Sequence, residues 1–154
     1  QAAAYFRHAR AAAGRLGRRA IFLTPHRDQV PPDLPPAMLW QDYVPLRLLL
    51  PHAAALVHHG GIGTTAEALR AGTPQLVVPL AHDQFDNGAR VAALGVGASL
   101  PAGRLNDARL ARALEALLAA PGLAERTRAV AERCRPRAGI DRMCAALEDL
   151  ADTR

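Results

Sequence analysis

Residues 54–67 read A-A-L-V-H-H-G-G-I-G-T-T-A-E. Ala54 to His58 is a short apolar run, predicted as a buried strand. Gly60, Gly61 and Gly63 follow and let the backbone turn tightly. A helix is then predicted from Thr64 to Ala71, closed by Gly72. A helix start carries roughly +0.5 charge and unpaired N–H donors, so it suits an anion such as phosphate. Glycines without Cβ let that anion approach the backbone. The loop has no lysine, so it is not a Walker loop, and its spacing is not the G-x-G-x-x-G dinucleotide pattern. A structural reading competes at each position. Thr64-x-x-Glu67 has the spacing of a capping box, in which Glu67 reaches back to the helix start. Paired histidines at a strand end are commonly packed or hydrogen-bonded.

The pattern repeats on both sides. Ala2 to Arg19 is predicted as an Ala/Arg-rich helix ending near Gly14 and Gly17. Ala20 to Thr24 is a strand, and five prolines between Pro25 and Pro36 make a stiff loop. Met38 to Val44 is a second strand, followed by a short helix from Leu46 to His52. Downstream come a strand at Gln75 to Pro79, a helix at Phe85 to Leu94 and a last short strand at Gly97 to Leu100. Helices at Asp107 to Ala119, Leu123 to Cys134 and Ile140 to Ala151 complete the chain. Apolar strands alternating with helices predict an α/β fold: a Rossmann-like parallel sheet with helices on both faces. Ligands of such sheets bind at the carboxyl ends of the strands.

The loop after the fourth strand, Pro79 to Asn87, is the second place to inspect. It sets His82, Asp83, Gln84, Asp86 and Asn87 beside the glycine turn. Side chains that donate and accept suit sugar hydroxyls, whereas the structural alternative is a helix N-cap by Asp83. A metal site from His58, His59, His82, Asp83 and Asp86 is conceivable, but no His-x-x-Glu-His or cysteine pair supports it.

Composition narrows the classes further. The 154 residues fit one domain, residues 1–154, with 50% hydrophobic and 21% charged residues, as in a folded globular chain. All 19 basic residues are Arg, which excludes lysine-based Schiff-base chemistry. The net charge of +5 raises nucleic acid as a partner, but the arginines are dispersed among acids and only 4% of residues are aromatic. No nucleic-acid partner is therefore expected. No apolar run reaches the ~20 residues of a membrane span, so no transmembrane segment is expected. Cys134 and Cys144 match no metal or redox spacing, and a cytoplasmic location is expected. The chain begins at Gln1 and reads as a fragment or processed product.

From Tyr43 to Asn87 the sequence resembles the donor-sugar signature of the UDP-glycosyltransferase superfamily, of the bacterial kind that glycosylates macrolides, sterols and other natural products. His59-x-Gly61, Glu67 eight residues after His59, and Asp83-Gln84 sixteen residues after Glu67 carry the resemblance. It implies one half of a GT-B fold: the C-terminal, nucleotide-sugar-binding domain, lacking its first strand and the N-terminal acceptor domain. It further implies that His59, the amides from Gly61 through Gly63 to Thr64, and the Thr64 hydroxyl contact the diphosphate. Glu67 would bind the ribose, Tyr43 would stack on the base, and the Val44 backbone would read the base edge. Asp83 and Gln84 would hold the donor sugar. Many relatives have Trp where Tyr43 stands, and plant relatives commonly have Gln where Leu46 stands, so a UDP-sugar and a dTDP-sugar both fit as substrate.

The implied chemistry is inverting, metal-independent transfer of a hexose to a small-molecule hydroxyl, with no cofactor. The resemblance places the general base in the N-terminal domain, so no catalytic residue is expected in this chain, and binding without turnover is expected of it alone. Three alternatives remain: a subunit of a split glycosyltransferase with a separate partner, a sugar-nucleotide epimerase of the same fold, and a metal-dependent hydrolase.

Overall fold

The computed structural model describes residues 2–134 and 137–152. Five short strands are β1 (Ala20–Leu23), β2 (Met38–Gln41), β3 (Leu56–His58), β4 (Gln75–Val77) and β5 (Gly97–Ser99). The helices are α1 (Ala2–Arg15), α2 (Leu46–Leu49), α3 (Ile62–Ala71), α4 (Gln84–Ala93), α5 (Asp107–Leu118), α6 (Leu123–Arg133) and α7 (Arg137–Asp152). Every strand pairing is parallel, as the alternation predicts. The strands form two hydrogen-bonded groups, β1–β2 and β3–β4–β5. No strand pairing among the described residues joins the two groups. At the free edge of β3, the Tyr5 hydroxyl of α1 donates to the Val57 carbonyl at 3.0 Å.

β4 shows why the sheet is covered on both sides. All its residues are buried, and successive side chains point to opposite faces. Leu76 packs with Ala12 of α1, Leu110 and Leu117 of α5 and Leu123 of α6. Val77 packs on the other face with Val91 of α4, Val96 and Val130 of α6. Phe22, Val30 and Met38 form a third cluster with Ala13 beneath β1 and β2. Beside β4, a Cβ on Gly97 would lie 2.2 Å from the Gln75 carbonyl oxygen, so β5 can pair there only with glycine.

Several element ends differ from the sequence expectation, each for a local reason. α1 stops at Arg15 because Gly17 takes a left-handed φ of 59° and Arg18 N–H bonds back to Ala13. β2 ends at Gln41, where the Asp42 carboxylate accepts the Tyr43 N–H and Pro45 offers none. β3 begins at Leu56, whose N–H finds the Pro74 carbonyl. The proline-rich loop contains a 3-10 turn, Arg27–Gln29, and the Arg27 side chain donates to the Val30 carbonyl. The last helix spans Arg137–Asp152 rather than starting at Ile140. No helix among the described residues is long and apolar enough to cross a membrane.

Candidate functional site

The glycine turn after β3 is built on His58. Its ring is buried; Nδ1 accepts the Gly60 N–H at 3.1 Å, so the proton sits on Nε2, which donates to Gln75 Oε1 at 3.0 Å. Burial, partly opposed by the Gln75 hydrogen bond, pushes its pKa down to about 4, and the imidazole is neutral near pH 7. His58 is therefore part of the scaffold. Gly60 has a φ of 96°, and a Cβ there would meet Val77 Cγ1 at 2.7 Å and the Gln84 carbonyl at 3.1 Å. Only glycine lets the turn lie this close to β4 and the start of α4.

His59 has the opposite environment. It is exposed, and its ring folds over the next turn: Nε2 lies 2.8 Å from where a Gly61 Cβ would stand. Gly61 is the residue before α3, in extended conformation, and no side chain caps the helix. The first helical bond is Thr65 N–H to Gly61 C=O, so the N–H groups of Ile62, Gly63 and Thr64 precede the ladder. A Cβ on Gly63 would meet nothing within 4 Å. Thr65 is buried with its hydroxyl returned to Gly61 C=O, whereas the half-buried Thr64 hydroxyl makes no hydrogen bond among the described residues.

This geometry corrects the capping-box reading. α3 starts at Ile62, two residues before the predicted Thr64, so Thr64 lies inside the first turn and Glu67 in the second. Glu67 Oε1 instead accepts from Arg70 at 2.8 Å on the helix surface. An exposed pair of this kind contributes at most ~1 kcal/mol, so the Glu67 carboxylate can exchange Arg70 for another donor at little cost.

The loop after β4 is closed by its own side chains. Gln84 Oε1 accepts the N–H groups of Leu80 at 2.8 Å and Ala81 at 3.2 Å, and its amide NH2 makes no hydrogen bond among the described residues. His82 takes a left-handed φ of 55° inside this clasp. Asp83 precedes α4, but its side chain does not cap the helix, which corrects the N-cap alternative. Its Oδ2 accepts from Asn87 Nδ2 at 2.9 Å, because the side chain has turned along the first turn of α4. Asn87 Nδ2 also donates to the Gly60 carbonyl at 2.9 Å, joining this loop to the glycine turn. Asn87 stood in the quoted loop, but nothing in its spacing revealed this bridge; its place four residues after Asp83 is the one local signal.

Tyr43 and Val44 stand beyond β2 and lead into α2, which packs against α3. The Tyr43 side chain is 75% exposed, so its ring is free to stack, and Val44 is half-buried. No hydrogen bond ties these two residues to the glycine turn. Ile62 at the start of α3, Leu80 in the loop after β4 and Phe85 at the start of α4 are also exposed apolar residues. No group of three or more His, Cys, Asp or Glu among the described residues is placed to hold a metal ion.

Parallel strands covered by helices, with glycine-turn and polar loops at their carboxyl ends, define a doubly wound α/β domain, and solved glycosyltransferases share this fold. Residues 12–147 match the family described as Erythromycin biosynthesis protein CIII-like, C-terminal domain, and the chain belongs to that family. Among curated relatives, O-mycaminosyltylonolide 6-deoxyallosyltransferase of Streptomyces fradiae is 39% identical over 107 residues, 69% of this chain and 25% of that protein. Among solved structures, the glycotransferase of kitacinnamycin superposes with a TM-score of 0.84 at 27% identity, over 94% of this chain and 38% of that one. Spinosyn rhamnosyltransferase SpnG complexed with thymidine diphosphate gives 0.77 at 32% identity, over 85% of this chain and 36% of that one. The chain spans a quarter or less of the length of the curated relatives it matches. Those relatives are glycosyltransferases, and this chain corresponds to their C-terminal domain.

Proposed function

We propose that this chain holds the nucleoside diphosphate sugar donor of an inverting, metal-independent glycosyltransferase that moves a hexose onto a small-molecule hydroxyl. One observation carries most weight: α3 starts uncapped, at a glycine, directly beneath the exposed ring of His59. The amides of Gly61, Ile62, Gly63 and Thr64, the Thr64 hydroxyl and His59 would receive the diphosphate. Glu67 would take the ribose, Tyr43 the face of the base and the Val44 backbone its edge. Asp83 and the Gln84 amide would hold the sugar. Charge-assisted hydrogen bonds contribute about 1.5–3 kcal/mol each, so three or four supply much of the ~8 kcal/mol of micromolar binding.

In the transfer step an acceptor oxygen bonds to the anomeric carbon from the face opposite the leaving group. The bond from that carbon to the β-phosphate oxygen breaks, and its electron pair leaves with the nucleoside diphosphate. His59 and the helix amides are fixed donors aimed at the charge that grows there. The acceptor's proton goes to a base that the N-terminal domain would supply, so this chain alone binds donor without transferring sugar. The relative solved with thymidine diphosphate supports a dTDP-sugar as the donor.

Calorimetric titration with dTDP, UDP and ADP tests this. A micromolar 1:1 isotherm for dTDP or UDP, weaker for ADP and lost in His59→Ala, is expected. Equal binding of all three, or none, contradicts it, and sugar transfer by the purified chain contradicts the incompleteness.

A further inference from the structure

We propose that Asn87 is a positioning residue that ties the diphosphate turn to the sugar-holding loop, so that the two ends of the donor are bound as one unit. This rests on the donor-binding reading above. Asn87 is buried on the first turn of α4. A carboxamide has two N–H bonds, and both are committed: one to the Gly60 carbonyl and one to Asp83 Oδ2, each at 2.9 Å. Neither acceptor can move away without leaving a buried donor unpaired, which costs about 1–3 kcal/mol.

Each bond orients a group that faces the donor. A trans peptide is planar, with its N–H opposite its C=O. Pinning the Gly60 carbonyl toward α4 therefore turns the Gly61 N–H away from α4, on the side of His59 and the start of α3. On Asp83, the bond engages Oδ2 and leaves Oδ1 to accept from a sugar hydroxyl. The turn and the loop already touch, since the Gln84 carbonyl lies 3.1 Å from the Cβ position of Gly60. Asn87 makes that contact directional.

The test compares the full chain with Asn87→Ala, Asn87→Asp, Asp83→Ala and the double variant Asn87→Ala/Asp83→Ala. Asn87→Asp keeps the volume but turns an acceptor toward two acceptors. Each is titrated with dTDP and dTDP-glucose, and with UDP and UDP-glucose. Asp83→Ala is expected to change the ratio of sugar-nucleotide to nucleotide affinity and leave nucleotide affinity within twofold. Asn87→Ala and Asn87→Asp are expected to weaken nucleotide binding five- to tenfold, about one hydrogen bond, and to change that ratio as Asp83→Ala does. The double variant should be no worse than Asn87→Ala. A purely structural role would weaken all ligands equally and leave the ratio alone, which overturns the proposal, as do additive effects.

Hydrogen exchange without ligand supplies an independent readout. The amide of Gly60 is hydrogen-bonded within the glycine turn, to His58 Nδ1, and those of Leu80 and Ala81 within the second loop, to Gln84 Oε1. Asn87→Ala should speed all three together while Val78, bonded to His58 C=O in the sheet, stays protected. Loosening of one loop alone, or of neither, overturns the tie. If the unaltered chain binds no nucleotide while the three amides respond together, the donor reading fails and the tie stands as a structural one.

Discussion

His58 and His59 are adjacent in sequence and face opposite physics. The His58 pKa of about 4 lies below the 6.5 of an unfolded chain, so as pH falls the unfolded state takes up its proton first. Its contribution is complete above pH 6.5 and is lost between there and pH 4, about 3 kcal/mol in all. Urea midpoints across that window should fall with acid, and His58→Gln should flatten the slope. Glu67 supplies a second test. Because Arg70 and not the helix start holds it, Glu67→Ala should lower stability by under ~1 kcal/mol while weakening nucleotide binding about tenfold. A drop in melting temperature without loss of binding would restore the capping role. At this scale the sequence was ambiguous for a clear reason. Thr64 and Glu67 have the right spacing for a box, and only the extended backbone of Gly61, φ −60° and ψ 138°, moves the helix start two residues earlier.

Elements were more legible than residues, because β3 and β4 are short apolar runs flanked by glycine or proline and α3 ends at Gly72, whose φ is 68°. Their ends were less so, since Gly17 and Pro74 act through backbone bonds and Asp42 through its carboxylate on the Tyr43 N–H, none of which a hydrophobic pattern encodes. The glycines of the turn divide by role. Gly60→Ala forces a side chain into Val77 at a positive φ and should cost about 1–3 kcal/mol. Gly63→Ala meets open space on α3, so its stability should hold or rise by up to ~1 kcal/mol. Its methyl would stand in the turn proposed to receive the diphosphate, and nucleotide affinity should fall. Thermal melts paired with titrations separate the two variants. Tyr5→Phe removes the donor from the Val57 carbonyl at the β3 edge, and a loss of about 1 kcal/mol should appear in the urea midpoint.

For the whole molecule, the parallel order of strands and the cover of helices on both faces followed from the alternation of apolar runs. The separation of β1–β2 from β3–β5 did not, because pairing between distant strands leaves no local trace. The same holds for the bridge from Asn87 to Gly60, whose partners are 27 residues apart. Tyr43, Ile62, Leu80 and Phe85, all exposed, belong to the segments that follow β2, β3 and β4. The decisive measurement is a titration of the isotopically labelled chain with dTDP, following every backbone amide. Shifts that begin at residues 59–65, reach Glu67 and saturate at micromolar to low-millimolar nucleotide are predicted. Unmoved amides at that turn, or shifts concentrated at the opposite end of the sheet, would contradict the account.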